Sequence, residues 1–113
     1  MVSLSVKNIY FDAIKSGKKT VEGRINTPKY QALAVGDQIA FLKEKTEEKI
    51  ICTIAKLTTY TQFKDMLLAE GLENMLPGVA SIEQGVALYE SFGAYKQEVM
   101  LYGALAIKIE IKK

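Results

Sequence analysis

The sequence predicts an α+β fold: a small mixed barrel with helices on its flank. Three observations point there. Short alternating segments stand near both ends of the chain, at 2–6 and 104–111, where strands can complete a sheet. Three further strand-like stretches lie before residue 58, rich in Val, Ile and Thr. After one early helical segment, the remaining apolar periodicities of helical spacing come late. The order is β-α-β-β-β-α-α-β, which packs as a strand layer covered by helices. At 113 residues the chain is a single domain, 1–113.

Residues 2–6 alternate apolar and polar, as a half-buried strand does. Ile9, Tyr10, Ala13 and Ile14 recur at helical spacing, so 8–16 reads as a helix stopped by Gly17 in a left-handed cap. A strand follows over 19–25, broken by Asn26-Thr27-Pro28, and the segment to Leu33 reads as loop. Val35-Gly36-Asp37 turns into a strand at 38–43. Residues 44–48 form a charged hairpin tip before a long strand from Lys49 to Leu57 or beyond. Thr61 is placed to cap a helix over 62–70 that ends at Gly71. Ser81 with Gln84 three residues on is a capping-box signature for a helix at 82–92. A short helical segment near 94–101 leads to Gly103 and the closing strand. There Leu105, Ile107, Ile109 and Ile111 alternate with Ala106, Lys108, Glu110 and Lys112.

Composition narrows the chemistry. With 49% apolar and 25% charged residues this is an ordinary globular profile. No apolar run approaches the ~20 residues of a membrane span. The N-terminus lacks a signal-peptide core, so the expectation is a cytoplasmic protein with no membrane partner. The single cysteine, Cys52, excludes an internal disulfide and reads as a small core hydrophobe. There is no histidine, which removes imidazole bases, Ser-His-Asp triads and His-containing zinc sites. Acid–base work falls to Glu, Asp, Lys or Tyr. No Walker spacing and no Asp-x-Asp pattern appear, so neither a cofactor nor a metal is expected. A formal net charge of +2 argues for a local basic patch, not a basic surface throughout.

Arg24 is the sole arginine among 15 basic residues. Its guanidinium offers a rigid fork of five donors, which lysine cannot supply. It closes the run Gly17-Lys18-Lys19-Thr20-Val21-Glu22-Gly23-Arg24. In a strand, Val21 and Ile25 share the core face, and Thr20, Glu22 and Arg24 share the other. Lys18 and Lys19 stand at the entrance of that polar row. One reading is a solvated face with a Glu22–Arg24 ion pair of roughly 0–1 kcal/mol. The other is a recognition cleft. There Arg24 holds a phosphate or base edge, and Glu22 accepts from an exocyclic amine. Lys19 is then either a charge clamp or a base whose pKa Lys18 helps to depress.

This run resembles the opening motif of the ASCH domain family (activating signal cointegrator homology), which shares the PUA-like β-barrel. Further similarity lies in Tyr10-Phe11-Asp12-Ala13-Ile14, Val35-Gly36-Asp37-Gln38-Ile39, Leu76-Pro77-Gly78 before Ser81-Ile82-Glu83, Tyr89, and Tyr102-Gly103-Ala104-Leu105-Ala106-Ile107. The resemblance implies recognition of RNA or a modified nucleoside between barrel and helices. Some members of similar size are amidohydrolases acting on N4-acetylcytidine. They use a lysine in a Gly-x-Lys-Thr motif, a threonine two residues beyond the motif threonine, and a later glutamate. Lys19 matches the lysine, and Glu73 matches the glutamate by a looser alignment. Glu22 stands where those members carry the threonine, which removes their hydroxyl nucleophile. Other members resemble weak ribonucleases that use tyrosine, lysine and serine.

The candidate catalytic residues are therefore Lys19, Glu22 and Glu73. The candidate ligand contacts are Lys18, Lys19, Thr20, Glu22, Arg24 and Tyr95. Tyr89, Tyr95 and Tyr102 fall where a base can stack or where a core ring can show its hydroxyl at the rim. Lys96 and Glu98 read as a solvated helix face or a second charged wall. Three functions remain: an RNA or nucleoside recognition module, an acyl-nucleoside amidohydrolase, and a protein-interaction domain without ligand.

Overall fold

The computed structural model describes residues 1–112. Its strands are β1 (Val2–Val6), β2 (Val21–Ile25), β3 (Gln38–Lys43), β4 (Lys49–Tyr60) and β5 (Ala104–Ile111). They form one five-stranded sheet in the order β1-β3-β4-β5-β2. β1 runs parallel to β3, and the other neighbours are antiparallel. β4 holds the sheet together. Its first half pairs with β3, and from Cys52 onward it pairs with β5. An irregularity between Ile54 and Lys56 breaks the register there, and such a bulge sharpens bend and twist. The sheet curls into a half-barrel whose two edges, β1 and β2, approach closely enough for Arg24 on β2 to reach the Ser5 carbonyl on β1.

Both faces of the sheet are buried, which explains a departure from the expected alternation in β5. Leu105 and Ile107 join Leu4, Phe41 and Ile54 inside the curl, beneath α1 (Asn8–Lys15). Ala104 and Ala106 face the opposite way and are buried too, at 0% and 2% exposure. They lie in a second core with Val21, Ile25, Met66 and Leu67, under α3 (Phe63–Glu70), α5 (Ile82–Glu90) and α6 (Tyr95–Tyr102). The sequence reading put Ala106 with the outward lysines. Its small side chain instead lets helices close on the strand.

Two helices of four residues were not expected. α2 (Pro28–Gln31), with Pro28 in its first turn, replaces part of the loop, and α4 (Leu72–Met75) follows Gly71. Thr61 does not cap α3: Gln62 holds that position with no side-chain bond. β2 begins at Val21, two residues later than expected, although the Thr20 carbonyl still accepts from the Ile109 amide. Gly17 adopts φ +83 beyond α1, as a left-handed stop requires. The Ser81 cap is present, its Oγ accepting from the Gln84 amide at 3.1 Å. Ser81→Ala is expected to lower stability by about 1 kcal/mol in urea unfolding, and an unchanged midpoint would show the cap to be idle.

No helix is long and apolar enough to cross a membrane, and no group of three metal-ligating side chains occurs among the described residues.

Candidate functional site

A cleft of about 210 Å³ opens where the two sheet edges meet the helices. Its β1 wall is Ser5, Val6 and Lys7, with Tyr10 from α1 and Glu44 from the β3–β4 turn. Its β2 wall is Lys19, Glu22, Gly23 and Arg24. Leu76, Tyr89, Phe92 and Tyr95 come from the helical side.

The β2 wall is built on one carboxylate gripped by two cations. Glu22 is only 7% exposed and Lys19 only 2%. Glu22 Oε1 lies 3.2 Å from Lys19 Nζ. Glu22 Oε2 accepts from Arg24 Nε at 2.9 Å and from Nη2 at 2.8 Å. Lys19 Nζ also donates to the Val21 carbonyl at 2.8 Å and to the Met75 carbonyl. Three acceptors around Nζ match the three donors of an ammonium, where a neutral amine has two. Arg24 Nη2 crosses the gap to Ser5 O at 3.2 Å. The Tyr95 phenol also lies within hydrogen-bonding reach of the Arg24 guanidinium.

Burial and charge pull these groups in opposite directions. Burial alone would raise the Glu22 carboxyl, but Lys19 and Arg24 together outweigh it and hold the group below the usual carboxylate range. Burial lowers the Lys19 ammonium, Glu22 opposes this, and Arg24 adds to it. The expected role of Lys18 in that lowering does not hold: Lys18 is exposed and absent from the cleft. Burial raises Tyr10, with Glu22 adding. Burial also raises Tyr95, with Arg24 opposing and Glu22 adding. Tyr89 is pushed well above the ordinary phenol range, first by burial and then by Glu22.

Of the residues singled out in the sequence, Lys19, Glu22, Arg24 and Tyr95 come together in the cleft, with Tyr89 beside them. Thr20 lines a different hollow with Ser16, Gly17 and Ile109. Glu73 is exposed on α4 and lines no part of the cleft. Tyr102, Lys96 and Glu98 also lie outside it, Lys96 exposed and Glu98 half-buried on α6. Cys52 is buried in the barrel core, its thiol raised to about 11 by burial. The sequence reading did not place Lys7, Phe92, Ser5 or Glu44 at the site. Lys7 sits directly after β1, with Nζ 5.3 Å from the Phe92 ring centroid, and only the tertiary fold brings these two together.

The ASCH domain signature matches residues 4–113. The crystal structure of hypothetical protein PH0355 superposes with a TM-score of 0.84 at 34% identity, covering 97% of each chain. The solution structure of protein PF0455 from Pyrococcus furiosus gives 0.80 at 34% identity, covering 99% of this chain and 97% of that one. The ASCH protein of Zymomonas mobilis shares the fold at 19% identity with a TM-score of 0.65, covering 96% of this chain and 65% of its own. No curated protein matches the chain in sequence. The family match over nearly the whole length, together with this half-barrel and its flanking helices, places the chain in the ASCH domain family, with its PUA-like fold.

Proposed function

We propose that the cleft recognises RNA or a modified nucleoside. One observation carries this reading: Arg24, the sole arginine, is fixed in the cleft by Glu22 and Ser5 among the Tyr10, Phe92 and Tyr95 side chains. A fixed guanidinium edge next to aromatic faces suits a polar, planar group or a phosphate. Three cations, Lys7, Lys19 and Arg24, face two carboxylates, Glu22 and Glu44, so the cleft favours an anionic or electron-rich ligand. Its volume falls below the ~300–1,000 Å³ of drug-sized sites, which suits one base better than a large ligand.

The test is calorimetric titration with cytidine, N4-acetylcytidine and short single-stranded RNA at low and moderate salt. Saturable binding is expected, and RNA affinity should fall as salt rises. Absence of binding to every probe would remove the reading.

A hydrolytic reading has one observation in its favour: burial depresses Lys19, the direction a lysine base needs. Against it, Lys19 already serves three acceptors and both Glu22 oxygens are engaged. Release of acetate from N4-acetylcytidine by the wild type, lost in Lys19→Met, would favour hydrolysis over simple recognition.

A further inference from the structure

A second hollow of note lies where β4 begins and β5 ends, beside the last residue of α1. The Lys112 amide donates to the Ile51 carbonyl at 2.9 Å there, joining the two strand ends. The hollow has a volume of about 530 Å³ and a simple lining: three lysines, Lys15, Lys49 and Lys112, and three isoleucines, Ile50, Ile51 and Ile111. None of the six lines the recognition cleft.

The fold gives no reason for either half of that lining. No carboxylate lines the hollow to offset three like charges. Lys15 has Glu48 at 3.9 Å, but both side chains are more than half exposed, so the pair contributes little. Lys49 and Lys112 make no ion pair among the described residues. Ile111 is 37% exposed, and Ile50 and Ile51 are only half-buried. One such isoleucine is ordinary, whereas three set together among charges of one sign have the make-up of an interaction surface. An adjoining hollow shares Lys15 and Ile111 and extends past Gly17, Lys19 and Thr20. Lys18, exposed and absent from the cleft, stands in that same stretch of chain.

Charge complementarity selects the occupant. Unpaired ammonium groups attract carboxylates, and the isoleucines offer contact to an apolar side chain between them. Nucleic acid suits the surface less well. Neither hollow is lined by an aromatic ring or an arginine, the groups that stack on bases or grip phosphate with two bonds. We propose that Lys15, Lys49 and Lys112, with Ile50, Ile51 and Ile111, form a docking site for an acidic peptide segment of a partner protein. Its carboxylates pair with the lysines, and its apolar side chain lies against the isoleucines. This site stands independently of the recognition reading, because the two share no residue.

The experiment follows fluorescence anisotropy of a labelled peptide with two glutamates on each side of a leucine–phenylalanine pair. Saturable binding by wild type is expected, weakening as salt rises. The double variant Lys49→Glu with Lys112→Glu should bind about tenfold or more weakly, because like charges then meet the peptide. Two control peptides test the wild type directly, whatever the fold of the variant. One carries glutamines for the glutamates, the other serines for the apolar pair, and both should lose affinity. No saturable binding by wild type, or equal binding of the glutamate and glutamine peptides, would overturn the proposal. So would unchanged affinity in a double variant that melts at the wild-type temperature. Single-stranded RNA that displaces the peptide with the same lysine dependence would assign the surface to nucleic acid, and would overturn it too.

Discussion

Glu22→Ala is expected to cost the fold about 3–5 kcal/mol, because it leaves Lys19 and Arg24 facing each other in a buried site with no counter-charge. A domain of this size has about 5–15 kcal/mol in total, so the loss is a substantial fraction of its stability. Urea denaturation measures it, and a loss below about 1 kcal/mol would show the cluster to be solvated. The double variant Lys19→Met with Glu22→Leu should recover only part of the loss, since it removes the unpaired Lys19 charge but still leaves Arg24 without its carboxylate. The pH dependence follows from the same cluster. The Glu22 carboxyl lies lower folded than unfolded, so its contribution is complete above roughly pH 4.3 and disappears as the pH falls through the folded value. The Lys19 ammonium is also lower folded than unfolded, so the unfolded chain holds that proton more readily and its penalty eases as pH rises. Both slopes have the same sign. Stability should climb from acid towards neutral pH, and Glu22→Gln should flatten the acid limb.

Arg24→Lys should weaken nucleoside binding by about 1–3 kcal/mol, roughly five- to 150-fold, although the charge is kept. An ammonium cannot hold Glu22 Oε2 through two bonds from one rigid fork and also reach Ser5 O across the gap. The salt dependence of RNA binding separates charge from shape. Arg24→Lys should leave the slope nearly unchanged, whereas Arg24→Ala should reduce it by about one. Equal affinity for wild type and Arg24→Lys would mean the fork is dispensable.

What could be read in advance depended on local rules. Period-two alternation put Glu22 and Arg24 on one face of β2, and their ion pair is there. Ser81 opened one helix and Gly17 stopped another, as their chemistry dictates. Alternation does not report, however, whether a polar face meets water or a cleft. Glu22 read either as half of a solvated pair or as part of a cleft, and it is buried, because β2 lies at a sheet edge that curls towards β1. Lys19 is deeper still. Nothing local signals that its Nζ will find the carbonyl of Met75, which comes from α4, a helix too short for periodicity to register. Glu73 stands two residues from that carbonyl yet points away from the cleft wall. Ser5, Lys7, Glu44 and Phe92 arrive from four segments, and only the β1-β3-β4-β5-β2 order makes them neighbours.

The Arg24 contact with Ser5 has a consequence for how this domain can change over time. The guanidinium bonds one sheet edge to the other at Ser5, and in the proposed recognition role it also meets the ligand. Mutational drift at position 24 is thus constrained twice. In that role, a replacement that improved ligand contact while releasing Ser5 would remove this bond between the two edges.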